Sequence, residues 1–95
     1  MIQILKPNGA EVCTEGLRIN MPLLIKTTEA DDHSDVDVID LRNETFLAFA
    51  MSSFTKQRYV NQEATSILRK HRREVAQRVF GTAVLFTADE VDTDE

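Results

Sequence analysis

Ninety-five residues, 42% of them hydrophobic and 28% charged, suit one folded domain and exclude a second core or a disordered chain. The single cysteine, Cys13, excludes an intrachain disulfide and a cysteine-rich metal site. A net charge of −5 opposes long-range attraction to polyanions, and apolar runs such as "MPLLI" are far short of the roughly 20 residues that span a bilayer.

The opening "MIQILKPNGAE" has no basic stretch followed by a long apolar run, so the expectation is a cytoplasmic protein in a reducing compartment, with no membrane partner. "IQIL" and "EVCT" read as two strands around a hairpin turn. Asn8 and Gly9 both tolerate positive φ, which predicts a type I′ turn there. "LRIN" and "PLLIKTT" continue the strand reading, with Pro22 marking an edge or a break. Residues 28–35 form a loop by composition. "VDVIDL" (36–41) alternates like a strand, although Ser34 and Asp37 could also open a helix.

From Asn43, a good N-cap, the pattern turns helical. Phe46, Leu47, Ala50, Met51 and Phe54 share one side of a helix, and "SSFT" (52–55) predicts a kink. Val60, Ala64, Ile67, Leu68, Val75 and Val79 form a second apolar stripe that runs to Gly81, the expected residue after the helix end. His71 falls inside that stripe and is expected in the core. "TAVLFTA" (82–88) reads as a buried strand, and residues 89–95 as an acidic tail. The expected fold is α+β. A small antiparallel sheet, made from the N-terminal hairpin and a C-terminal strand, packs against one long or kinked helix in a single domain over residues 1–88.

The charges are segregated. Residues 29–40 sum to −6, residues 89–95 to −5 and residues 56–78 to +5. On a helical wheel Arg58, Arg69 and Arg73 share an outward strip about 120–180° from the apolar stripe, with Lys70 on the other flank. Such a strip suits a nucleic-acid backbone or an acidic protein partner, and it is also how an amphipathic helix faces water. No aromatic residue interleaves with these bases for stacking, so nucleic acid is the lesser expectation.

"DDHSDVDVIDLRNE" has carboxylates spaced two apart, as calcium loops do. Asp31 in the first position puts Arg42 in the twelfth. His33 in the first position loses the opening carboxylate, and neither register supplies the central glycine. Glycines 9, 16 and 81 are isolated, so no phosphate loop is readable, and no nucleophile, base or metal set appears. The expectation is a non-enzymatic protein, without cofactor or metal, that binds another protein as a regulator, adaptor or inhibitor. In style it resembles the small accessory proteins that phages encode. A structural subunit of a larger assembly and a homo-oligomer are the other expectations. "TFLAFAMSSF" is more hydrophobic than one buried face requires. Phe49 lies off the stripe, so it is the expected anchor of a binding surface, with Asp31, Asp32, Asp35 and Asp37 as its acidic rim.

Overall fold

The computed structural model describes residues 2–56 and 58–92. Five strands form one sheet: β1 (Ile2–Leu5), β2 (Glu11–Thr14), β3 (Val36–Arg42), β4 (Thr45–Ala50) and β5 (Ala83–Thr87). Their order is β2-β1-β5-β4-β3, and every neighbouring pair is antiparallel. Three helices join them: α1 (Met21–Thr28), α2 (Ser52–Thr55) and α3 (Gln62–His71). The α+β class is therefore as the pattern predicts.

Side chains alternate across the strands, and the register sorts them into two apolar faces. Leu47 stands opposite Leu85 and Ile39 on one face, where Leu5, Phe49 and Ala83 pack with Ala64, Leu68 and Val79. Ala48 stands opposite Val84 and Val38 on the other face, where Ile2 and Phe86 pack with Ile19 and Leu24. The central strands are thus covered on both sides, by α3 and the segment after it on one and by α1 on the other.

That double cover explains the largest departure from the sequence reading. "TFLAFA" forms β4, not a helix. A strand buried on both faces is apolar at every position, and this cannot be told from a buried helix by period. Asn43 is accordingly no helix cap. Arg42 pairs with Thr45, and Asn43 and Glu44, with φ of 56° and 61°, form a two-residue hairpin of type I′ character. At the first hairpin only Gly9 has positive φ (89°). Its N–H donates to the Lys6 carbonyl at 3.0 Å, closing a loop of Pro7, Asn8 and Gly9, which corrects the type I′ expectation there.

"PLLIKTT" is helical. Asn20 accepts from the Leu23 N–H, and Pro22 lies in the first turn, where a missing N–H costs nothing. The expected long helix is reduced to α2 and α3. α3 stops at His71 because Arg72 turns out of helical geometry, with φ −133° and ψ 75°. Val75 and Val79 still reach the core from an irregular segment. His71 is exposed, with its ring Nδ1 3.0 Å from the Ile67 carbonyl, and is not a core histidine. Gly81 has a φ of 75°, but it precedes β5 and ends no helix. The fold also runs past residue 88. Ala88–Glu90 form a 3₁₀ turn, and the Asp92 N–H donates to the Ile19 carbonyl at 2.7 Å. Residues 93–95 of the expected tail, like Gln57 of the expected helix, lie outside the described residues.

Candidate functional site

The acidic residues expected to rim a binding surface are mostly engaged in holding the chain. Asp32 caps the 3₁₀ turn His33–Asp35 by accepting from the Ser34 N–H at 2.9 Å. The Ser34 hydroxyl and N–H hold the Asp32 carboxyl below its ordinary range. Asp31 pairs with Lys56. Asp35 accepts from the Ser52 N–H at 2.7 Å, the Ser52 hydroxyl at 2.5 Å and the Asp31 N–H at 2.9 Å, while its own carbonyl accepts from the Met51 N–H at 2.8 Å. Desolvation pushes the Asp35 carboxyl up. The bonds from Ser52 and Asp31 and the charge of Lys56 outweigh it and hold the group below the usual carboxylate range. Asp37 stands opposite Phe49 on β3, half-buried.

The basic strip is divided too. Arg58 is not on α3 at all. Its guanidinium donates to the Glu29 carbonyl at 3.2 Å and the Ser53 hydroxyl at 3.0 Å, and it lies 3.8 Å from the Glu29 carboxylate, tying α2 to the end of α1. Arg69, Lys70 and Arg73 are exposed and form no ion pair among the described residues. Arg72 instead donates to the Asp40 carbonyl at the sheet edge and to Glu74.

Phe49 is 2% exposed, so it is a core residue and not the expected exposed anchor. It forms part of the floor of a cleft of about 450 Å³, which is walled by Met51, Phe54, Ala76 and Phe80 and has Arg78 as its charged lining residue. Met51 is 49% and Phe54 68% exposed. The Phe54 ring sits edge-to-face on Phe80, with centroids 5.2 Å apart and an interplanar angle of 74°. The positions are set from below. Asp35 grips Ser52, and Ser53 is fully buried beneath Gly81 and Arg58.

A second depression of about 400 Å³ lies at the other end of β4, on the opposite face. Val38, Phe46 and Phe86 form its sheet side, and Met21 and Leu24 of α1 its wall. The Phe46 and Phe86 rings stack with centroids 5.7 Å apart. Its charged lining residue is Asp92, and Asp40, directly opposite Phe46 in register, adds a second carboxylate on that face.

The first depression holds Arg78 and Gln77 among apolar walls, and the second holds Asp92 with Asp40 on the same face; among the described residues neither lining sets a nucleophile beside a base. Among the described residues no group of three or more His, Cys, Asp or Glu is placed to hold a metal, and no helix is long and apolar enough to cross a membrane. What both arrangements can do is receive or present an apolar side chain. Most of the apolar excess in "TFLAFAMSSF" fills the two buried faces of β4, and the exposed aromatic of the segment is Phe54, not Phe49. Comparison with protein-family models, with curated proteins and with solved structures gave no match.

Proposed function

We propose that this chain is a non-enzymatic protein-binding protein, a regulator, adaptor or inhibitor, that engages its partner through Met51, Phe54 and Phe80 with Arg78 beside them. The observation that carries this reading is the exposure of Phe54. A phenylalanine two-thirds open to water, braced on a second ring and beside an apolar cleft, is how an interface anchor stands before it is covered. Arg78 favours a partner with a carboxylate next to the apolar group that meets the cleft.

The test is affinity capture from the source cell with the wild-type chain and with Phe54→Ser, which removes the ring from a solvent-facing site. The expected outcome is a partner retained by the first and lost by the second, at an unchanged melting temperature. Equal retention by both would remove this surface from the interface.

Nucleic-acid association through Arg69, Lys70 and Arg73 is the second reading, supported by their lack of ion pairs among the described residues. It needs binding that falls steeply with salt and is abolished in an Arg69→Glu/Arg73→Glu chain.

A further inference from the structure

Four large hydrophobic side chains that stand exposed, Met51, Phe54, Met21 and Val38, line one or other of the two depressions. We infer that the two are halves of one interface. The Met51 and Phe54 side chains of one copy seat in the Val38, Phe46 and Met21 groove of a second copy. This rests on reading residues 51–54 as a docking surface, and it names the partner as the same chain.

Three observations support a second copy. The first is placement. Phe46, near the start of β4, floors the groove, while Phe49 and Ala50, at the end of β4, line the cleft. The surfaces are at opposite ends of one strand and on opposite faces, so a chain cannot fill its own groove. The contact joins unlike surfaces and propagates head to tail. The second is charge. The cleft carries Arg78, and the groove face of β3 carries Asp40, directly opposite Phe46 in register. Docking brings opposite signs together, where two clefts or two grooves would bring like signs together. The third is fit. The groove is open and apolar, and the stacked Phe46 and Phe86 rings form its floor. Phe54 entering there buries the two-thirds of its surface now open to water and gains a ring contact. Edge-to-edge pairing of β3 is one alternative route to self-association. It is disfavoured because the Arg72 guanidinium occupies the outward Asp40 carbonyl at 2.6 Å.

The test is sedimentation equilibrium over a range of concentrations. Wild type is expected to rise above monomer mass as concentration increases. Phe54→Ser and Val38→Asp, each checked for native circular dichroism and melting, are each expected to be monomeric, with association weakened about tenfold or more. An equimolar mixture of the two is then expected to form a dimer and stop. Each variant keeps one intact surface, so one productive contact forms and cannot propagate. If Val38→Asp does not fold, Met21→Asp carries the same arm from α1.

Monomeric wild type at every concentration overturns the inference. So does a mixture that stays monomeric, or a groove variant that assembles like wild type. In any of these cases, loss of a different captured protein by Phe54→Ser leaves the protein-binding reading standing. If wild type is monomeric and Phe54→Ser changes no capture, both fall.

Discussion

Asn61 and Phe54 stand seven residues apart and exchange the places that polarity would assign them. Asn61 is fully buried, and Phe54 is two-thirds exposed. The Asn61 amide donates to the Leu5 and Gly81 carbonyls, each at 2.8 Å. Its side-chain oxygen accepts from the Ala64 N–H at 3.0 Å, and its backbone N–H reaches the Val79 carbonyl at 2.7 Å. One side chain therefore joins β1, the start of α3 and the chain entering β5. The Phe54 ring packs edge-to-face on Phe80 and is otherwise largely open to water. At these two positions burial follows the bonds a residue closes rather than its hydropathy. A buried amide with every valence used is cheap to keep and costly to lose.

Asn61→Ala is the sharpest way to break that contrast. It removes the donor to two carbonyls and the acceptor of a helix N–H. The expected loss is about 3 kcal/mol, read as a fall of about 12 °C or more in melting temperature. A change below about 1 kcal/mol would mean that water replaces the amide and the junction is not buried in solution.

Gly81 sits where the two regions meet, and Gly81→Ala ranks next. Its φ of 75° resists a side chain, and an added Cβ would lie 2.7 Å from the Ser53 hydroxyl oxygen. The expected cost is about 2 kcal/mol in a urea titration. The double variant Ser53→Ala/Gly81→Ala should recover the clash with the hydroxyl alone, because the Ser53 Cβ at 3.2 Å and the Arg58 Cδ at 3.3 Å remain.

Asp35 gives the Phe54 side its pH dependence. Its carboxyl lies below the ordinary range in the folded chain, so the stability it adds is complete above the unfolded value of about 3.9. That stability is lost as pH falls through the lower folded value. Urea midpoints from pH 5 to pH 2 should therefore fall less steeply in Asp35→Asn than in wild type. Parallel curves would show that other carboxylates carry the acid loss. Phe54→Ser is the smallest expected effect on the fold, within about 0.5 kcal/mol, because little is buried there to lose. A larger loss would make Phe54 a structural residue and weaken its reading as an anchor.

How far the sequence revealed these regions follows from the range of each interaction. β1, β2, β3 and β5 were legible from short alternating or β-branched runs between turn residues. β4 was hidden because both its faces are buried. α1 was hidden because Pro22 can open a helix as well as edge a strand. The tight turn after β3 uses Glu44 where glycine is usual, so it left no signal. Arg58 looked free because its partners, Thr28 and Glu29, are some 30 positions away in the chain. Phe54 was assigned to the core because a wheel drawn through residues 46–54 assumes a helix where the chain is first a strand. The excess of apolar residues in that segment was visible. Which ring faces water depends on the grip of Asp35 on Ser52, a contact across 17 positions.

The strand order β2-β1-β5-β4-β3 has a consequence in time. The N-terminal hairpin and the β3–β4 hairpin are each complete in local sequence, yet they share no edge, because β5 lies between them. A growing chain on the ribosome would hold two hairpins, each marginal alone, until residues 83–87 emerge and slot between them. Folding is then a late closure, with the sheet appearing in one step when its middle arrives. Synthesis that stalls before Ala83 leaves the β1 and β4 edges, which β5 would cover, open to chaperones and proteases.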